Sequence, residues 1–239
     1  MWRKVLITLT IAAFIGLWII QLDPVLSMMH RVAFLGAIQG VWLGLLLLAW
    51  GRKTLRFVCL AIPVLSAIPF LLPGRPIQAN ELRAEYVKGM KQLVGTKYVW
   101  GGESSLGIDC SGLPRKALRD ALLSYGFRHL NGGALRMFAQ HWWYDASANA
   151  LAQGYRNYTM PLEPHGTIQQ MDYSGLLPGD LAVTARGVHI LAYIGDDQWI
   201  QADPGIGVVA ILSGHNDKNR WFEVPVTTYC WSVMPHALK

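Results

Sequence analysis

Three long apolar runs fill most of the first third of the chain, at residues 5–22, 32–50 and 57–72. A helix needs roughly 20 apolar residues to cross the hydrocarbon core of a bilayer. The first two runs meet this length. The third is shorter and contains Pro63 and Pro69, which a membrane helix tolerates when neighbouring groups satisfy the freed carbonyls. The runs therefore predict a transmembrane anchor region of about three helices over residues 1–75.

A cleaved signal peptide is the alternative for the first run, because Arg3 and Lys4 precede it. No small-residue cleavage motif follows Ile20, and two further apolar runs come next. Both features favour a retained membrane helix.

The loop charges predict the orientation of the anchor. Two basic residues precede the first run, and Arg52, Lys53 and Arg56 fill the second loop, whereas the first loop holds Asp23 against Arg31. Because basic loops stay in the cytoplasm, we expect the N-terminus and the second loop on that side. Three spans then place everything after residue 72 outside. If the third run does not cross, the domain that follows would be cytoplasmic.

The formal net charge of +6 belongs to the anchor region. Seven of the 21 basic residues but one of the 15 acidic residues precede Pro76, so the rest of the chain is neutral. A nucleic-acid-binding face would have to be basic and lie on the folded domain. The charge distribution therefore argues against a nucleic-acid partner, and it identifies no protein partner.

Residues 76–239 have the pattern of one folded domain. After a linker at 73–80, in which Asn80 is the predicted helix cap, apolar spacing predicts an amphipathic helix over 81–94 and a second one from about 111 to 125. Short strands follow, at 181–184, 189–194, 198–202, 208–212 and 227–233. Helices followed by antiparallel hairpins predict an α+β domain.

The segment from 126 to 171 is irregular and rich in aromatic residues and glycine. We expect loop with short helical pieces there. Two roles are equally consistent with so long a segment: a cap over a functional cleft, or a small packed subdomain.

Cys110 is the predicted nucleophile. The three cysteines, which include Cys59 and Cys230, are too few and too scattered to predict a disulfide framework. Cys110 stands at the start of the second predicted helix, where partial positive charge stabilises a thiolate and free N–H groups can bind an oxyanion. A buried structural cysteine is the alternative. Asp109, Ser111 and the surrounding glycines indicate a tight polar turn, which favours the nucleophile.

Among the seven histidines, His189 is the predicted base because it opens a strand at the end of a sheet. If strands 189–194 and 198–202 pair around residue 195, His189 faces Gln201, since facing residues lie about 5 Å apart on one side of a sheet. Gln201 would then accept a hydrogen bond from the imidazole and fix its tautomer. Asp203 is the alternative third residue. A strand histidine without a catalytic role is the alternative for His189.

The chain lacks close metal-ligand spacing such as H-E-x-x-H or C-x-x-C. Gly205-Ile-Gly207 indicates a turn and is too short a pattern for a nucleotide-binding loop. The sequence therefore predicts no metal site and no cofactor.

Four blocks occur in order: Tyr98-x-Trp-Gly-Gly102, Gly107-x-Asp-Cys-Ser-Gly-Leu113, Leu177-Pro-Gly-Asp-Leu181, and His189 before Tyr193-Ile-Gly195. Over about residues 82–210, they resemble the NlpC-type cysteine peptidases, a papain-like family that cuts peptidoglycan stem peptides. The resemblance implies a papain-like domain with N-terminal helices packed on an antiparallel sheet. In this chain the transmembrane region precedes it.

The resemblance also implies roles for individual residues. Cys110 resembles the nucleophile, His189 the general base, and Gln201 the third polar residue, a position that the family more often fills with histidine. Tyr98 matches a family tyrosine that helps to bind the oxyanion.

Together these expectations describe a membrane-anchored thiol hydrolase that cleaves amide bonds in peptidoglycan peptides through a thioester intermediate. Asp109 and Ser111, beside the nucleophile, are expected to help position the oxyanion or the substrate. The expected place is the bacterial inner membrane, with the domain on the periplasmic or extracellular side. Two other functions stay open: an acyltransferase or amidase acting on a lipid-linked or protein substrate, and a binding module on a degenerate peptidase fold with Trp142, Trp143 and Tyr144 as its contact surface.

Overall fold

The computed structural model of the protein describes residues 1–236, so the predicted end of the domain at Lys239 lies outside the described residues. Among these residues, three long apolar helices come first: α1 Trp2–Leu22, α2 Met28–Leu48 and α3 Lys53–Leu71. Each is long and apolar enough to cross a membrane, and few of its side chains are buried. Each begins three or four residues before the predicted run, because the flanking polar and basic residues continue the helix. Pro63 and Pro69 lie inside α3, so the third run is one helix despite its prolines.

In the described part of the chain, four α-helices follow the linker: α4 Ala79–Gln92, α5 Gly112–Arg128, α6 Gly132–Trp143 and α7 Ala148–Ala152. The first two were predicted, with shifted ends. The N-cap residue of α4 is Gln78, and Asn80, the predicted cap, lies in the first turn. The apolar stripe of α4 is buried in the core that it shares with α5.

Residues 1–236 contain two sheets. β1 Glu103–Ser104 and β2 Gly107–Ile108 pair in a small hairpin. The other strands form one antiparallel sheet in the order β3-β8-β4-β5-β6-β7, with bounds Thr159–Thr167 (β3), Leu181–Thr184 (β4), Ile190–Gly195 (β5), Gln198–Asp203 (β6), Val208–Ser213 (β7) and Pro225–Trp231 (β8). α4 and α5 pack on one face of this sheet, and a second apolar cluster covers the other. The predicted fold class, helices followed by an antiparallel sheet, is confirmed.

The segment from 126 to 171 is more regular than predicted, since it contains α6 and β3. Two glycines in the first turn of α6 weaken the helical pattern. Asn131 stabilises the start of this helix as its N-cap, because its side chain accepts hydrogen bonds from the N–H groups of Gly133 and Ala134. β3 contains Pro161 and Pro164, which are tolerated because β3 lies at the edge of the sheet.

α6 joins the domain to the three N-terminal apolar helices. The guanidinium of Arg136 donates to the carbonyl oxygens of Phe70 at 2.7 Å and Leu72 at 2.9 Å, at the end of α3. The ring of Trp142 lies 6.1 Å from that of Phe34 on α2. This part of the segment is therefore a packed element between the apolar helices and the domain.

The register of the β5–β6 hairpin differs from the predicted one. Tyr193 pairs with Trp199, so the ladder centres on residue 196 instead of 195. A bulge between Tyr193 and Gly195, together with a turn of two positive-φ aspartates, causes the change. The residue that faces a given position therefore moves by two along the strand. His189 consequently stays on the same face of the sheet as Gln201.

Candidate active site

A cavity of about 650 Å³ lies between the start of α5 and the ends of β5 and β6. It brings together five of the predicted site residues: Tyr98, Asp109, Cys110, Ser111 and His189. Gln201 does not line the cavity itself but forms a hydrogen bond with His189, which does. Segments that are far apart in sequence therefore meet at one place.

Cys110 is 7% exposed and precedes Ser111, the N-cap residue of α5. The predicted nucleophile thus stands just before the helix, close to the predicted position. Burial and the charge of Asp109 raise the pKa of the Cys110 thiol to about 12, although the backbone N–H groups of Ile190 and Ser111 favour the thiolate. The resting thiol is therefore protonated, and a base must remove its proton.

Asp109 fixes the turn that presents Cys110. Its carboxylate accepts hydrogen bonds from the Gly101 N–H at 2.9 Å, the Ser111 hydroxyl at 3.0 Å and the Gly112 N–H at 2.6 Å. A side chain at Gly112 would place its Cβ 2.2 Å from the carbonyl oxygen of Gly102, so only glycine fits there. Asp109 and Ser111 thus hold the helix start in position.

His189 is almost fully buried, and its Nε2 lies 2.6 Å from Oε1 of Gln201. Burial lowers the pKa of His189 to about 4, so the ring is neutral at pH 7. A neutral ring that donates from Nε2 to Gln201 leaves Nδ1 as the nitrogen able to accept a proton. The predicted contact between His189 and Gln201 is therefore present, although the predicted register was wrong.

Asp203, the alternative third residue, lies at the end of β6 and is also buried. Its Oδ1 accepts the Gly205 N–H at 2.6 Å, and its Oδ2 accepts from the side-chain amide of Asn219 at 2.7 Å. Both oxygens thus hold the turn after β6, while the charge of Asp203 acts on His189 at longer range.

Tyr98 lines the cavity and is half-buried. Burial raises the pKa of the Tyr98 phenol to about 12, and the nearby carboxylates of Asp109 and Asp203 act in the same direction. The hydroxyl therefore keeps its proton at pH 7 and can donate a hydrogen bond to a developing oxyanion.

Sequence reasoning missed Trp221, Arg115 and Leu26, which also line the cavity. The Trp221 ring stacks on that of His189, with centroids 4.1 Å apart and planes 13° apart. Arg115 is four residues after Ser111, so helical spacing alone could have placed it near the site. Trp221 and Leu26 come from distant segments, and no local pattern connects them to Cys110.

Part of the aromatic segment also reaches the cavity, since Asp145, Ser147 and Ala148 line it. The segment therefore contains a packed helix, α6, and contributes to the cavity wall around the start of α7. Among residues 1–236, no group of three His, Cys, Asp or Glu side chains is arranged to hold a metal ion.

The sequence profile of the NlpC/P60 family matches residues 95–224, more than half of the chain. The chain belongs to the NlpC/P60 family. This result confirms the predicted resemblance, and the matched range includes Cys110, His189 and Gln201. No curated protein matches the chain.

Several solved NlpC/P60 structures resemble this one at low sequence identity. NlpC1 from Trichomonas vaginalis is 19% identical and has a TM-score of 0.41; the alignment covers 61% of this chain and 42% of NlpC1. The peptidoglycan hydrolase RipB from Mycobacterium tuberculosis is 20% identical, with a TM-score of 0.38 and coverage of 62% and 65%. The NlpC/p60 domain of the peptidoglycan hydrolase SagA is 21% identical, with a TM-score of 0.34 and coverage of 61% and 96%. This chain thus spans less than half of NlpC1.

Proposed function

We propose that this NlpC/P60 protein is a membrane-anchored thiol hydrolase that cleaves amide bonds in peptidoglycan stem peptides, with Cys110, His189 and Gln201 as its triad. The observation that carries the proposal is the buried hydrogen bond between His189 and Gln201, at a cavity that also holds Cys110. Thiol hydrolysis requires a base of fixed tautomer beside a cysteine, and the hydrogen bond to Gln201 supports this role for His189.

In the proposed acylation step, the Cys110 sulfur attacks the substrate carbonyl while its proton passes to Nδ1 of His189. The backbone N–H groups at the start of α5 and the Tyr98 hydroxyl bind the oxyanion that forms. When the tetrahedral intermediate collapses, the C–N bond breaks and the imidazolium gives its proton to the leaving amine. A thioester on Cys110 remains.

In the proposed deacylation step, His189 takes a proton from water, and the resulting hydroxide attacks the thioester carbonyl. The C–S bond breaks, the proton returns to the sulfur, and a carboxylic acid leaves. Gln201 holds the ring throughout both steps. Because Gln201 is neutral, it stabilises the imidazolium less than a charged partner would.

The contacts between anchor and domain support the proposed orientation. The loop between α1 and α2 and the end of α3 both touch the domain, so these two points lie on one side of the membrane. The basic residues before α1 and between α2 and α3 lie on the opposite side, which the positive-inside rule assigns to the cytoplasm. We therefore propose an inner-membrane anchor over residues 1–75 and a catalytic domain over 76–239 on the periplasmic or extracellular side.

The test uses the full-length protein in nanodiscs with soluble peptidoglycan fragments. New amino groups should appear, and Cys110→Ala should abolish their release. Cys230→Ala is the matched control, because Cys230 is a buried free cysteine in β8 that does not line the cavity. Release that continues undiminished in Cys110→Ala would contradict the mechanism.

Mass spectrometry of the products separates hydrolysis from acyl transfer, because transfer leaves the acyl group on a second amine or alcohol. The binding-module alternative receives less support from the aromatic residues. Trp142 packs near Phe34, and the Arg156 guanidinium covers the Tyr144 ring at 3.5 Å, so both rings are engaged within the chain.

A further inference from the structure

The loop between the first two membrane helices, residues 23–27 and here called the hairpin tip, lies against the loop that precedes the nucleophile. The Glu103 N–H donates to the carbonyl oxygen of Pro24 at 2.9 Å, and Val25 forms an antiparallel bridge with Gly102. Asp109 in turn donates its backbone N–H to the carbonyl oxygen of Gly102 at 2.9 Å. One layer of backbone therefore separates the hairpin tip from the turn that carries Cys110.

A buried ion cluster holds the hairpin tip in this place. Arg31, on the first turn of α2, is fully buried, and its Nη2 lies 3.1 Å from Oε2 of Glu103. The other oxygen of Glu103 accepts a hydrogen bond from Arg119 and forms an ion pair with Nη2 of Arg115 at 2.7 Å; both arginines lie on α5, the helix that starts beside Cys110. One carboxylate thus connects a membrane helix to the catalytic helix.

The hairpin tip also forms part of the cavity wall. Leu26 lines the catalytic cavity together with Cys110 and His189. A second cavity of about 300 Å³, between the hairpin tip and α6, is lined by Leu26 and Glu103 as well. Leu26 and Glu103 therefore lie between the catalytic cavity and the second cavity on this side.

The position of Leu26 in the chain puts this wall at the membrane surface. α1 ends at Leu22 and α2 begins at Met28. Four residues span at most about 14 Å, so Leu26 lies within that distance of the end of a membrane helix. A substrate that contacts Leu26 must come equally close to the bilayer.

We propose that the hairpin tip is part of the active site and that the enzyme acts on peptides attached to a membrane lipid. The inference rests on the proposed function and names its substrate class. A lipid-attached peptide is held at the bilayer surface, where its local concentration in front of the cleft is high. A peptide free in solution or within an assembled wall lacks this advantage.

The first test compares one stem peptide in two forms, lipid-linked in the nanodisc that holds the full-length enzyme, and free in solution. We expect kcat/KM for the lipid-linked form to be higher by tenfold or more, on the order of the gain that colocalisation gives. Equal kcat/KM values for the two forms would overturn the inference and leave the proposed function standing. If Cys110 is alkylated normally and neither form is cleaved, the proposed function fails and the inference with it.

The second test replaces the wall residue by Leu26→Trp, with Met29→Trp as the matched control. Met29 is two residues into α2 and 81% exposed. Leu26→Trp should raise KM for the lipid-linked peptide by about tenfold or more, since a misfit of even one methylene group in an apolar pocket has an effect of this order. The rate at which iodoacetamide alkylates Cys110 should change little, because this small reagent does not bind to the cavity wall at Leu26.

A thermal unfolding curve identifies a Leu26→Trp protein that has lost its fold. In that case Leu26→Ala replaces it, and we expect a higher KM with unchanged alkylation of Cys110. If variants at Leu26 and Met29 behave alike toward the lipid-linked peptide, the hairpin tip is not part of the active site.

Discussion

Gln201→Glu places a carboxylate beside the proposed base with almost no change in volume. Gln201 is fully buried, and its Oε1 lies 2.6 Å from Nε2 of His189. With charge centres about 4 Å apart and an effective dielectric constant of about 20, a carboxylate there attracts an imidazolium by about 4 kcal/mol. This energy corresponds to a change of about a thousandfold in the protonation equilibrium of the ring.

In the wild-type protein, the neutral forms of Cys110 and His189 are strongly favoured over the thiolate–imidazolium pair. Burial lowers the pKa of His189 to about 4 and raises the pKa of Cys110 to about 12, so both groups are neutral at pH 7. The new carboxylate raises the pKa of His189 and favours transfer of the Cys110 proton to the ring. Burying the carboxylate offsets part of the gain, so we expect Cys110 to react at least about tenfold faster at pH 7.

Alkylation of Cys110 by iodoacetamide, followed by peptide mass spectrometry between pH 5 and pH 9, measures this effect in the full-length protein. Gln201→Met is the matched control, because it removes the acceptor and adds no charge. We expect it to react more slowly than the wild type. Identical pH profiles for Gln201→Glu and the wild type would refute the claim that residue 201 governs the protonation of His189.

Three further perturbations test other parts of the site. The domain should lose stability in acid, because burial lowers the pKa of His189 to about 4 and that of His141 to about 3, whereas both protonate near 6.5 when unfolded. Their stabilisation is complete above pH 6.5 and falls as the pH drops, by about 2 kcal/mol each at pH 5; His141→Gln should therefore reduce the fall in Tm between pH 7 and pH 5, and an equal fall would contradict this. Trp221→Ala should lower kcat on the order of ten- to a hundredfold, since the stacked ring holds His189 in position, while Trp221→Phe should keep most of the activity; an unchanged kcat in the alanine variant would exclude this role. Glu103→Gln should destabilise the protein by about 3–5 kcal/mol, because it leaves buried guanidiniums without their anion, and thermal unfolding beside the exposed-site control Glu163→Gln measures the difference.

Much of the candidate site could be predicted from sequence because its residues lie in short local patterns. Cys110 stands beside a glycine-rich turn and the start of a helix, both of which have clear sequence signals. The contact between His189 and Gln201 was predicted from a register that was wrong by two positions. It survived because side chains alternate along a strand, so a shift of two preserves the face. A shift of one would have moved the two side chains to opposite faces.

The parts that sequence reasoning missed depend on long-range contacts. α6 begins with two glycines and is stabilised by its Asn131 cap and by packing on α3. Trp221 and Leu26 reach the cavity from segments more than 30 residues away from His189 or from Cys110. Such contacts are set by the packing of the whole chain, and local periodicity does not encode them.

Asp109 has opposing effects on Cys110. It holds the start of α5 through hydrogen bonds. Burial is the main reason that the pKa of the Cys110 thiol is raised, and the negative charge of Asp109 raises it further. Gln201 adds no charge that would favour an imidazolium, so the resting site keeps a protonated thiol. Because the thiolate is the form that reacts with oxidants and disulfides, a protonated thiol is protected. This protection would help to keep the Cys110 thiol reduced on the oxidising side of the membrane proposed above. In the proposed mechanism, the neutral Gln201 thus lowers the reactivity of the resting Cys110 thiol until a substrate carbonyl is bound.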